Sequence, residues 1–370
     1  MEPIETYAVN YFNDFELSVL NEPIGDQLLL FDKITSNVQS EQFEIFKKIE
    51  KNAPFINAGS FSNQVHFQNA YQTPVQRWFP YREGYSTRLV NAFIKELKIT
   101  GNIFDPFSGS GTTLLASRHN NLNSFGIDVN PISVLVAKAE NESYSIIEIN
   151  NLQDEIEKLK TVSRSKDVFQ TSFDLADKVF NSEILQTLLQ LKFHIKDIQN
   201  QKIQNLLFVA WLSIIEDVSN IKKEGNGIKY KNRKRTPSGY INIEKEVWEK
   251  QAFPEDKFNF VKTKLLKHLE IILLDIKSNY GLCEKQPIIF QGSCLEFDNY
   301  FSDEIQFTFF SPPYCNCFDY FEIHKVDLWL GDFVKDKEEF RLLRNTGFRS
   351  NTNSLNHKPI IYKNEHLENL

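Results

Sequence analysis

Residues 101–140 read GNIFDPFSGSGTTLLASRHNNLNSFGIDVNPISVLVAKAE. NIFDPF has the apolar character of a short buried strand, and the SGSG behind it is a tight loop. TTLLASRHN opens a helix and SFGID is a second strand. NPISVLVAKAEN is a second helix, with Pro131 near its first turn, where a missing N–H is tolerated. Strand, loop, helix, strand, helix is one unit of a parallel α/β sheet with helices on both faces. Two further strands are expected only far downstream, PIIFQGS at 287–293 and IQFTFF at 305–310.

Between these two pairs the pattern turns helical, in NLQDEIEKLKTVS, SEILQTLLQLKFHIKDIQNQKIQNLLFVAWLSIIEDVSNI and FNFVKTKLLKHLEIILLDIKSNY. The simplest account is one α/β sheet interrupted by a mainly helical insertion, because two late strands would otherwise have no sheet to join. The expected divisions are an N-terminal segment (1–75), a first part of the sheet domain with the glycine loop (76–145), the insertion (146–284), a second part of the sheet domain (285–340) and a polar tail (341–370). Within the first segment, EQFEIFKKIEKN reads as a short amphipathic helix.

Composition narrows the class. At 370 residues, with 41% hydrophobic and 25% charged, the chain has ample material for a core and is typical of globular proteins. No apolar run approaches the length of a membrane span, and MEPIETYAVNYF is acidic and lacks a charged-then-apolar pattern. Four cysteines make no disulfide scaffold at this size, and Cys315-x-Cys317 without further ligands is a poor zinc site. A cytoplasmic protein with no membrane partner and no metal is expected. A net charge of −7 argues against a surface that coats nucleic acid as a whole, but leaves room for a local basic groove.

Two motifs carry chemistry. In FDPFSGSGTTLL, Asp105 ends a strand while Gly109 and Gly111 let backbone approach a ligand closely. No lysine follows the last glycine, so this is no ATPase phosphate loop, and Leu114 stands where a dinucleotide fingerprint needs a third glycine. A phosphate-free cofactor with a nucleoside part fits better. Asp105 can hold a cationic amine, and Asp128, ending the next strand in FGIDVNP, can accept from ribose hydroxyls. Alternatively, both acids cap the helices that follow. Phe107 packs on the cofactor or wedges the loop; Thr112 and Thr113 donate to the cofactor's carboxylate or cap their helix.

The second motif is FFSPPYCNCFDYF, 309–321. Pro312 and Pro313 have fixed φ and no N–H, so the carbonyls of Ser311 and Pro312 can point outward as free acceptors. Those carbonyls and the Ser311 hydroxyl can accept both hydrogens of an exocyclic amine, with Tyr314 stacked on the base. This suits direct displacement, in which the amine attacks an electrophilic methyl held in line, without a covalent intermediate.

Together these motifs closely resemble the amino-group DNA methyltransferases. FDPFSGSGTT is similar to their cofactor loop, FGIDVNP to their ribose-binding strand end and SPPY to their catalytic tetrapeptide. The resemblance implies a Rossmann-like methyltransferase sheet and S-adenosyl-L-methionine as cofactor. Asp105, Phe107, Gly109 and Gly111 would line the methionine side of the cofactor, and Asp128 its ribose. RWFPYREGYSTRLVNAFI resembles the segment closing the methionine end, which implies Ser86 or Thr87 as cofactor contacts. Within the family a leading serine goes mostly with cytosine N4, so Ser311 points to N4-cytosine methylation of double-stranded DNA, with adenine N6 as the alternative. An RNA or protein-amide methyltransferase is a further alternative. A cognate restriction endonuclease is a partner that the resemblance implies. The family's sheet has more strands than RLLRNTGFRSNTNSLNHKPIIYKNEHLENL can supply. Either residues 1–75 fill part of the sheet or a second subunit does; in the second case the chain is one half of a split methyltransferase.

Within the insertion, NIKKEGNGIKYKNRKRTPSGYI sets Lys222, Lys223, Lys229, Lys231, Arg233, Lys234 and Arg235 against the single acid Glu224. Its glycines and asparagines suggest a mobile loop that contacts DNA phosphates. Asn226, Tyr230 and Tyr240 are candidates for reading bases. A base to be methylated must be flipped out of the duplex into the Tyr314 pocket.

Overall fold

A computed structural model describes residues 73–347 apart from 83, 225–226, 238, 281–284, 302 and 314–318, together with two short strands nearer the N-terminus. The chain divides into two compact units, Met1–Val65 with Lys358–Leu370, and His66–His357. In the first, β1 (Ala8–Val9) pairs in parallel with β2 (Phe55–Ile56). The helix expected in EQFEIFKKIEKN lies outside the described residues.

The second unit opens with α1 (Thr87–Glu96), capped by Ser86 and burying Leu89, Val90, Phe93 and Ile94. Then follow β3 (Ile103–Asp105), α2 (Thr112–His119), β4 (Ser124–Asp128) and α3 (Pro131–Asn141), whose Asn130 cap and first-position Pro131 fix its start. The insertion comprises α4 (Ile146–Thr161), α5 (Ala176–Val179), α6 (Ser182–Lys196), α7 (Gln201–Ser213), two hairpins, α8 (Lys245–Ala252) and α9 (Lys257–Asp275). Its side chains Leu188, Leu206, Trp211, Leu265 and Leu269 are buried in one core with Trp78, Leu115, Val136 and Trp329. The insertion is therefore packed into the sheet domain and is not an independent body.

The basic segment is not a loop. It forms two antiparallel hairpins, β5 (Ile221–Glu224) with β6 (Gly227–Tyr230), and β7 (Arg233–Thr236) with β8 (Gly239–Asn242). Of the glycines and asparagines that suggested mobility, Gly227, Gly239 and Asn242 lie at strand ends and Asn232 in a turn.

After the insertion come β9 (Ile288–Gln291), β10 (Phe307–Thr308), α10 (Lys325–Leu330) and α11 (Lys337–Thr346). The strand expected over 305–310 is shorter, although its ladder extends one step past Thr308 through Phe309 N to Phe104 O (3.0 Å). The two prolines beyond it have no N–H to continue it. Residues 341–346, expected as polar tail, complete α11, where Arg344 bonds Asp319 and Glu322. Among the described residues no helix is long and apolar enough to cross a membrane.

The main sheet has four parallel strands in the order β10-β3-β4-β9. From β3 the chain steps outward through β4 to β9, then returns to lie on the other side of β3 as β10. The order reverses between β3 and β10, and in such sheets ligands bind outside the carboxyl ends at that crevice.

Candidate active site

Asp105 is the last residue of β3, at the crevice, and is 1% exposed. Its Oδ1 accepts from the Phe107 amide (3.0 Å) and its Oδ2 from the Tyr85 hydroxyl (2.9 Å). Tyr85 also bonds Thr113, whose hydroxyl is 3.4 Å from the carbonyl oxygen of Phe309. This chain of contacts links the ends of β3 and β10. Burial, reinforced by the Asp105 charge, pushes the Tyr85 hydroxyl well above its usual range, so it stays a donor.

Asp128 ends β4. Its Oδ2 accepts from the Gly109 amide (2.9 Å) and its Oδ1 from the Asn130 amide (2.8 Å). Asn130, not Asp128, caps α3, and α2 has no side-chain cap. The acids therefore brace the loops at the strand ends rather than merely starting helices. Burial raises both carboxyls from 3.8 to about 6; hydrogen bonds oppose the rise, and for Asp128 so does His324. Neither acid has an ion-pair partner among the described residues. Two buried carboxylates at adjacent strand ends fit a ligand carrying both a cationic amine and vicinal hydroxyls.

The glycine loop is backbone-driven. Gly109 and Gly111 have φ of +50° and +86°, in the left-handed region. A Cβ on Gly111 would come within 2.7 Å of Asn141 Nδ2, and one on Gly109 within 3.0 Å of the Tyr81 ring. Gly111 leads directly into α2, whose first residue Thr112 is 3.4 Å from Gln76 Nε2. Thr87 donates to Gln76 Oε1 (3.2 Å), while Ser86 accepts from the Arg88 amide (3.2 Å). Both residues thus brace the segment beside the loop. That segment is itself anchored by Asp275, which accepts from Val75 N (3.1 Å), Arg77 Nε (3.0 Å) and Trp78 Nε1 (2.9 Å).

Ser311, Pro312 and Pro313 follow β10 at the same end of the sheet as Asp105. Phe310 meets Phe107 with ring centroids 5.7 Å apart, so the two motifs touch. Tyr314 lies outside the described residues, as do Cys315 and Cys317.

Beneath the loop lies a group that sequence patterns did not single out. Tyr81 bonds Ser133 Oγ (3.1 Å) and stacks on His324 at 5.8 Å. His324 Nδ1 is 3.3 Å from Asp327 Oδ2, which also bonds Lys223. Burial raises the Asp327 carboxyl, but Lys223 and His324 outweigh it and hold it below its usual range. Tyr85, Tyr81 and Gln76 all lie within or beside RWFPYREGYSTRLVNAFI. Their polar side chains, just before an otherwise apolar helix face, are the one local signal that could have found them.

The basic residues divide. Lys222 and Lys229 are exposed and share Glu224 (3.1 and 3.6 Å). Arg233 is exposed, its guanidinium 4.2 Å from the Tyr240 ring centroid. Lys223, expected on DNA, is instead buried against Asp327, since alternation along β5 turns it to the core. Lys231 is also a structural residue, donating to the carbonyls of Glu216 (2.5 Å) and Ser219 (3.0 Å). For Lys234 and Arg235 only the backbone, in β7, is described, and Asn226 lies outside the described residues.

A family model for DNA methylases matches residues 79–139, the stretch that holds Tyr81, Tyr85, Asp105, the glycine loop and Asp128. The chain is 28% identical to the type II methyltransferase M.BsoBI of Geobacillus stearothermophilus, over 76% of this chain and 57% of that protein. It is 27% identical to M.AvaI of a Nostoc species, over 72% and 56%, and 29% identical to M.MjaII of Methanocaldococcus jannaschii, over 37% and 27%. The chain thus spans rather more than half the length of the first two relatives. No solved structure matches.

Proposed function

We propose that the chain is an amino-group, S-adenosyl-L-methionine-dependent DNA methyltransferase, and that it methylates the exocyclic amine of a base in duplex DNA, adenine N6 or cytosine N4. The observation that carries this is the strand order β10-β3-β4-β9, with Asp105 and Asp128 ending adjacent strands and Ser311-Pro312-Pro313 ending the strand across the switch point.

S-adenosyl-L-methionine supplies the electrophilic methyl group when it is bound. Asp105 is assigned to its amine, Asp128 to its ribose, and the backbone of Gly109 and Gly111, with Phe107 and Thr112, to the pocket wall. Ser86 and Thr87 act as braces of that wall through Arg88 and Gln76. Ser311 and the carbonyls before the prolines accept the hydrogens of the amine, so that its lone pair faces the methyl, and Tyr314 stacks on the flipped base.

The choice between the two bases stands apart from this. Ser311 is the sole residue that speaks for cytosine, and it does so by family likeness; the relatives' printed names specify no base, so adenine N6 is carried as an equal reading. Incubating the chain with duplex DNA and methyl-labelled cofactor, then digesting to nucleosides, tests both. Label in N6-methyldeoxyadenosine or N4-methyldeoxycytidine is expected and chooses between them. Label in a ring-carbon methyl product, or none in DNA, overturns the proposal.

A further inference from the structure

The two hairpins differ in how they are held. The β5–β6 hairpin is packed: Ile221 is fully buried, Lys223 is paired with Asp327, and Gly227 lies against Glu322. The β7–β8 hairpin is tied down at its base. There Lys231 N donates to Asn220 O (2.8 Å), and Asn220 and Asn232 exchange hydrogen bonds through N to Oδ1 (3.1 Å) and Nδ2 to Oδ1 (3.0 Å). Asn232 Nδ2 then donates to Ile243 O (2.8 Å), closing the neck. Beyond that neck all four residues of β8 are exposed, Tyr240 by 58% and Ile241 by 55%. An isolated two-stranded ribbon is marginal in water, so a clamped base carrying an exposed β8 calls for a partner.

The chemistry of that partner is legible. From Gly225 to Ile243 the chain has no acidic residue, and Arg233, Lys234 and Arg235 run consecutively along β7. The register sets Arg235 opposite Tyr240 and Lys234 opposite Ile241. Two strands about 4.8 Å apart, with their flanking side chains, make a ribbon that a major groove about 12 Å wide admits. Four residues at about 3.4 Å each cover roughly four base pairs.

We propose that the β7–β8 ribbon enters the major groove of duplex DNA, with the basic strand β7 along the phosphates and the exposed strand β8 against base edges. This deepens the methyltransferase reading by naming its recognition element, and rests on that reading for duplex DNA as the partner. Lys223 and Lys231 take no part.

The test uses the full chain, a pool of random-sequence duplexes and fluorescence anisotropy across a salt series. The triple variant R233A/K234A/R235A should weaken binding at least tenfold at low salt and reduce the slope of log affinity against log salt by roughly 2 to 3, at about 0.9 per phosphate contact. The double variant Y240A/I241A should bind the pool within about threefold of wild type, yet lose the sequence bias that wild type enriches from it. Cofactor affinity by calorimetry should be unchanged in both. An unaltered salt slope in the triple variant, an unaltered sequence bias in the double variant, or tighter binding to RNA of the same length overturns the proposal. Because binding is read without turnover, an inactive wild type that still binds duplex through the ribbon would sink the methyl-transfer reading alone.

Discussion

Asp105→Asn should stabilise the ligand-free protein while disabling it. The Asp105 carboxyl is buried and titrates near 6 in the folded chain against 3.8 unfolded, with burial as the leading cause. Between those values the folded state holds a proton that the unfolded state has released. Stability associated with the protonated form is therefore complete below about 3.8 and is lost as pH rises through about 6. At about 1.4 kcal/mol per pH unit, the full loss is about 3 kcal/mol by neutral pH, of which about 1 has accrued at pH 4.5. Asparagine keeps the shape and the acceptor for the Phe107 amide, and Tyr85 can turn to accept from the new amide. It has no charge to strand. Urea unfolding of both proteins, without cofactor, should show the variant's advantage growing by about 2 kcal/mol from pH 4.5 to pH 7.5. Any constant difference between an amide and a protonated carboxyl cancels in that comparison. Calorimetry at pH 7.5 should show the variant's cofactor affinity falling at least tenfold, because the amine loses its counter-charge. An advantage that stays flat or shrinks with pH would refute the electrostatic reasoning, and wild-type cofactor affinity would refute the role.

Other substitutions probe other parts. Lys223→Met leaves the fully buried Asp327 to His324 and should destabilise by about 3 kcal/mol, with Lys223→Met/Asp327→Leu recovering part of it in the same urea assay; if the double variant is as unstable as the single, charge pairing is not what holds the β5–β6 hairpin down. Gly111→Ala meets both a left-handed φ and Asn141, and should lose about 1–3 kcal/mol in thermal unfolding along with cofactor binding; an unchanged melting temperature would contradict the backbone argument. Tyr314→Ala should depress methyl transfer by about 1–3 kcal/mol of lost base stacking and leave cofactor affinity near wild type; equal loss of both would contradict stacking.

Much of the site was legible because its signals are local. A glycine loop after a strand, an acid at each strand end and a proline-terminated strand are short-range patterns fixed by backbone chemistry; the acids end β3 and β4 as expected, while the strand before the prolines is shorter than expected. Lys223 shows where local reading stops. In sequence it is one cation among seven; in the fold, the period of two along β5 separates it from Lys222 and buries it on Asp327, a residue 104 positions away. The hairpins themselves escaped because turn residues in a polar context suit a loop as well as a ribbon.

The sequence by itself determined the α/β class, the glycine loop and the acids that end β3 and β4, since these depend on propensity, spacing and φ preferences within a few residues. Tertiary structure decided that β10 lies beside β3, bringing a turn near residue 311 to a loop near residue 107. It also decided that Tyr85 ties Asp105 to Thr113, and that one basic hairpin packs down through Ile221 and Lys223 while the next exposes its second strand. Those outcomes depend on which distant surfaces exclude water together, and burial of that kind has no signature in a linear stretch of chain.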